Sequence, residues 1–113
     1  MNIDEIKQYL VDFYELDDSD QLAALVEEMR SSLRAILKEL DKNLKNGNHN
    51  SIASEAHALK GTLLNFGLAD SGEISSRIET EARAGVPIQL LVELFYELQG
   101  SLKSLTEAAV NES

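Results

Sequence analysis

Between Leu22 and Leu44, apolar side chains recur in steps of three and four: Leu22, Leu25, Val26, Met29, Leu33, Ile36, Leu37, Leu40 and Leu44, with mostly polar residues between them. That period lines one face of an α-helix and matches no face of a strand, so the stripe has to be buried against other helices. Related patterns follow three times more, and each is punctuated. Gly47 closes the first run, Gly67 the second, and Gly85 with Pro87 separates the last two. Glycine just past a helix end and proline in the first turn of the next are the expected stop and start signals.

Start signals agree with this division. Asp18 with Gln21 three residues later forms a capping-box pattern, so a long helix is expected to begin near Ser19. Asn48 or Asn50 can cap the second helix, and Asp70 with Glu73 offers a second capping box for the third. The third carries Ile74, Ile78 and Ala82. The last places Leu90, Leu91, Leu94, Phe95, Leu98, Leu102 and Leu105 on its apolar face, with Pro87 in its first turn. Upstream, Ile3, Ile6, Tyr9, Leu10, Phe13 and Tyr14 describe a short accessory helix within residues 1–16, while residues 108–113 read as a frayed tail. The connections are short, which makes sequential helices antiparallel neighbours. The expected fold class is therefore all-α: an antiparallel up-down four-helix bundle over about residues 19–108, with a short N-terminal accessory helix. At 113 residues the chain is read as one domain, 1–113.

Composition removes several function classes. With no cysteine there is no disulfide, thiolate metal site or cysteine nucleophile. Twenty acidic against ten basic side chains give a net charge of −10, which disfavours nucleic acid and anionic membrane surfaces as partners. No stretch approaches the roughly 20 apolar residues of a membrane span, and the acidic N-terminus carries no leader-like run, so a cytoplasmic location is expected. No cofactor is expected either.

One short stretch, AHALKG at residues 56–61, does not serve stability. Glycine inside a helix costs about 1 kcal/mol relative to alanine. Each residue turns the side-chain direction by about 100°, and Ile52, Ala56, Leu59, Leu63 and Phe66 then cluster on one side, which must face the core. On that wheel His57 and Gly61 point away from the core, with Ala53, Lys60 and Leu64 on the flanks. Gly61 leaves space beside His57, Lys60 brings a cation within one turn, and Leu64 adds an exposed apolar group. This is the composition of a docking surface around a nucleophilic imidazole, which can carry a phosphoryl group near neutral pH.

At this point AHALKGTLLNFGLADSGEISSRIETEARAG resembles the signature of the histidine-containing phosphotransfer (HPt) domain of two-component phosphorelays, and the similarity runs from about Asp20 to Thr106. The resemblance implies that His57 accepts a phosphoryl group, from a receiver phospho-aspartate or a sensor or hybrid histidine kinase, and passes it to a response-regulator receiver domain. It implies that Lys60 pairs with phosphoryl oxygens, that Gly61 admits the receiver and that Glu79 holds the imidazole, with transfer on Nε2. Magnesium and most of the transfer catalysis would belong to the receiver, and the chain would be a carrier with no kinase activity or ATP site of its own. In agreement, no glycine-rich phosphate loop is present. Arg83, four residues after Glu79, is placed to bridge it or to touch the phosphoryl group or partner. The working patch is thus Ala53, His57, Lys60, Gly61 and Leu64, with Glu79 and Arg83 from the next helix, on a monomer. Because the chain begins at Met1, a free-moving shuttle is expected.

Three rival readings compete with this one. An adaptor or inhibitor of the same fold, binding a kinase or receiver through the same surface without phosphorylation, is disfavoured by the presence of His57, Lys60 and Gly61. A metal-binding bundle needs inward Glu-x-x-His pairs, whereas Glu55 stands two residues from an outward His57. A general acid-base enzyme would have only His57 and His49, and His49 reads as a surface residue in a polar turn.

Overall fold

The computed structural model describes residues 2–16 and 18–106, and the tail read as frayed, residues 108–113, lies outside them. Among the described residues five helices follow in order: α1 (Ile3–Tyr14), α2 (Ser19–Lys45), α3 (His49–Asn65), α4 (Ala69–Arg83) and α5 (Ile88–Thr106). No strand occurs among the described residues.

The helix ends follow local chemistry. Asp18 caps α2, its carboxylate accepting from the backbone N–H groups of Asp20 and Gln21. Asn48, the first of the two candidate asparagines, caps α3 by accepting from the Ser51 N–H. Gly47, Gly67 and Gly85 all take positive φ at the turns between helices. The expected capping box at Asp70–Glu73 does not form: α4 starts at Ala69, with Leu68 as its N-cap and Asp70 already in the first turn. The reason is Leu68, which is buried in the core while its N–H donates to the Leu63 carbonyl. The chain is thereby turned into the next helix earlier than a side-chain cap would turn it. Pro87 likewise stands just before α5, not within its first turn, and its carbonyl accepts from the Leu90 N–H.

Helix contacts run α2 with α3, α3 with α4, α4 with α5 and α5 with α2, while α1 lies on α2. One continuous core results, built around Leu33, Leu40, Ile52, Leu59, Leu63, Ile78, Leu91, Phe95, Leu98 and Leu102. Each such side chain contributes about 1.5–3 kcal/mol by leaving water.

Four readings of burial change. Leu90 is exposed, because it lies about 90° from the centre of the α5 stripe running from Leu91 to Leu105. Phe66 sits beyond the end of α3 and is half-buried. His49 is not a free surface residue: from the first turn of α3 its Nε2–H donates to the Val86 carbonyl at 2.6 Å, tying the α2–α3 turn to the α4–α5 connection. Arg30, absent from the expected core, is buried in the α2 stripe, where its Nε donates to the Leu105 carbonyl at 2.9 Å near the end of α5. A cation at a helix C-terminus opposes the negative end of the helix dipole.

Candidate functional site

The site is built where α3 and α4 pack, and small side chains let them approach. Ala53 and Ala56 on α3 and Ser71, Gly72 and Ser75 on α4 are all buried. A Cβ added at Gly72 would lie 2.9 Å from the Leu64 side chain, so the two helices meet there without room for a methyl group. Ser75 donates from Oγ to the Ala56 carbonyl at 2.9 Å inside the core, which fixes the register of α4 against α3. His57 follows Ala56, and Glu79 stands one turn after Ser75. That register brings Glu79 to the imidazole.

His57 points outward, with 64% of its side chain accessible, while Glu79 beside it is only 14% accessible. The Nδ1 atom lies 3.1 Å from each carboxylate oxygen of Glu79. An ionised carboxylate can only accept, so Nδ1 carries the proton and donates it. In the neutral ring the lone pair then belongs to Nε2.

Glu79 is itself held from two further directions. Arg83 donates from Nε at 3.1 Å and from Nη2 at 2.9 Å to Oε2, and the Lys60 ammonium lies 3.7 Å from Oε1. Partial burial pushes the Glu79 carboxyl upward, but the hydrogen bonds from Arg83 and His57, and then the electrostatic attraction of the His57 ring and Lys60, outweigh it. Its pKa ends below the usual 4.5. The carboxylate therefore stays charged, and with it the orientation of the ring.

Of the expected patch, His57, Lys60, Glu79 and Arg83 come together through these contacts, and Gly61 and a half-exposed Leu64 lie alongside. Ala53 does not belong to the surface. It is 1% accessible, because it shares the α3 flank of Lys60 and Leu64 that faces α4, and the close packing covers its single methyl group. Gly61 leaves room for a partner and not for the ring itself. A Cβ added there would meet nothing within 4 Å, so a methyl group would not crowd the imidazole, and the open space is room for an approaching partner. Ser75 was not singled out from the sequence. Its signal is the run of small residues Ser71, Gly72 and Ser75 on one face of α4.

No group of three or more His, Cys, Asp or Glu side chains able to hold a metal occurs among the described residues. No helix among them is long and apolar enough to cross a membrane.

Fold and site together define a class: a helical bundle that displays, on an outer helix face, an imidazole oriented by a carboxylate. The chain belongs to the Hpt domain family, whose model matches residues 24–109. No significant match is found among curated proteins or among solved structures. The family performs phosphotransfer in two-component signalling, and its domains are carriers that lack kinase activity.

Proposed function

We propose that this protein is a phosphohistidine carrier. It takes a phosphoryl group on His57 and exchanges it with the aspartate of a response-regulator receiver domain, with a sensor or hybrid histidine kinase as the other source. The observation that carries the reading is the pairing of His57 Nδ1 with Glu79, which leaves Nε2 as the outward nucleophile.

In the forward step the Nε2 lone pair attacks the phosphorus of the receiver's acyl phosphate. The Nε2–P bond forms, the P–O bond to the aspartate breaks, and the carboxylate leaves with the bonding electrons. Nδ1 keeps its proton, and Glu79 offsets the positive charge that develops on the ring. Lys60, at 3.7 Å only loosely paired with Glu79, is close enough to turn toward phosphoryl oxygens on His57. Arg83 holds Glu79, while Gly61 and Leu64 form the surface on which the receiver sits. The reading is of a monomeric, cytoplasmic, single-domain protein with the four long helices up and down. In support of that topology, Gly72 at the start of α4 meets Leu64 near the end of α3, whereas Glu79 further along reaches back to His57.

The test is to expose the protein to phosphoramidate, a small phosphoryl donor, and to phosphorylated receiver domains from its source. Acid-labile, base-stable label is then followed on wild type and His57→Gln. Label on wild type alone, with both proteins equally helical by circular dichroism, is the expected outcome. Label that persists in His57→Gln, or its absence from wild type, would overturn the assignment, and the second result would favour an adaptor acting through the same face.

A further inference from the structure

Helix α1 lies wholly before the region that matches the family, which begins at residue 24, so the shared fold does not account for it. It nevertheless holds three of the six Phe and Tyr side chains of the chain, Tyr9, Phe13 and Tyr14. Tyr9 is the anchor. Its ring covers Gly67 in the α3–α4 turn so closely that a Cβ there would lie 2.6 Å away, and it stacks on Phe13 with ring centroids 4.5 Å apart. Tyr14 is fastened to the end of α3, its hydroxyl donating to the Asn65 carbonyl at 3.2 Å.

These contacts fix the rings without burying them. Phe13 is 70% and Tyr14 51% accessible. Between α1, α2 and the end of α3 lies an open cleft of about 440 Å³, lined by Leu10, Tyr14, Leu16, Leu25, Asn65 and Phe66. Rigid, exposed aromatic rings beside a mostly apolar cleft are what protein interfaces use as anchor points, and they add little to folding.

The cleft is continuous with the site. His57, Gly61, Leu64 and Asn65 lie within about 100° of one another on α3, and Asn65 is about 12 Å along the axis from His57. All four are exposed, and Gly61 raises no side chain between them.

Charge narrows the choice of occupant. Asp12, Glu15 and Asp18, all exposed, flank Phe13 and Tyr14 along the chain, which carries a net charge of −10. That rim repels a second copy of this protein and an anionic membrane, and favours a partner with basic groups around an apolar projection. Resting on the phosphocarrier reading above, we infer that α1 extends the docking face. Phe13, Tyr14 and the cleft receive an apolar side chain of the receiver domain, and Asp12 and Glu15 meet its basic rim. The helix thereby discriminates among receivers that would otherwise meet only the features common to the family.

The experiment measures discharge of phosphorylated protein, labelled with phosphoramidate, to each receiver domain from its source that accepts phosphoryl from wild type. The variants are Phe13→Ser, Asp12→Lys and, as a control on the exposed face of α5, Tyr96→Ser. Both α1 variants should lose about tenfold or more in the second-order transfer rate through a raised KM, while labelling of His57 by phosphoramidate and the rate at saturating receiver stay at the wild-type level. Asp12→Lys needs no repacking and decides the matter alone if Phe13→Ser loosens α1. Transfer by the α1 variants at the rate of Tyr96→Ser overturns the inference and leaves the carrier reading intact. Failure of His57 to take label, or to discharge to any receiver, instead removes the carrier reading itself.

Discussion

Gly61 offers a test in which stability and function should move in opposite directions. It lies inside α3 with helical backbone, and an added Cβ would meet nothing within 4 Å. Gly61→Ala should therefore stabilise the fold by the full helix-propensity difference, about 1 kcal/mol. For a domain of this length that is a rise in Tm of about 3–5 °C. Gly100 supplies a matched control: it is inside α5, exposed, and equally free of neighbours, so Gly100→Ala should give the same rise. The two sites should separate when the side chain is long. Gly61→Gln places a flexible amide one turn from His57 on the surface where the receiver approaches, and should reduce receiver-dependent transfer about tenfold or more while phosphoramidate labelling persists. Gly100→Gln should transfer normally. Thermal melts and transfer kinetics on the four variants suffice. Destabilisation by Gly61→Ala would show a packing role for the glycine, and normal transfer by Gly61→Gln would refute the idea that it is kept for access.

Two further perturbations probe the site and its supports. The Glu79 pKa lies below its unfolded value, so the stability contributed by its contacts is present above about pH 4.5 and is lost as pH falls through the lower folded value. Glu79→Gln should flatten that acid limb in pH-dependent denaturation and slow His57 labelling, and an unchanged acid limb would disprove the linkage. Gly67→Ala combines a positive φ with a Cβ placed 2.6 Å from the Tyr9 ring, and should cost about 1–3 kcal/mol in urea unfolding, with Tyr9→Ala recovering part of the loss in the double variant.

The helices were legible because their signals are local. The spacing from Leu22 to Leu44, the Asp18 and Asn48 caps and the three turn glycines act within a few residues of themselves, and each was found where the pattern put it. Where a local signal competed with a long-range one it lost: the Asp70 capping pattern gave way to burial of Leu68. The wheel placed His57 and Gly61 outward because a residue opposite the core cannot be covered by an adjacent helix. It failed for Ala53 and Leu90, both about 90° from a core centre, where the distance to the neighbouring helix decides burial. Ala53 meets a close neighbour and is covered, whereas Leu90 stays exposed.

What the sequence by itself determined is the set of helices, their inward faces and the exposed imidazole with its lysine and glycine, all consequences of a 3.6-residue period acting on apolar and polar side chains. What only the tertiary structure decided is the chemistry around that imidazole. Glu79 is twenty-two residues from His57, and its distance of 3.1 Å depends on the Ser75–Ala56 hydrogen bond and on small residues that let α3 and α4 close. Likewise Tyr14 reaches Asn65 across fifty-one residues, forming a cleft that neither helix contains alone. Periodicity is a property of one segment, but the register between two segments is set by how their surfaces fit, and only the folded chain brings them together.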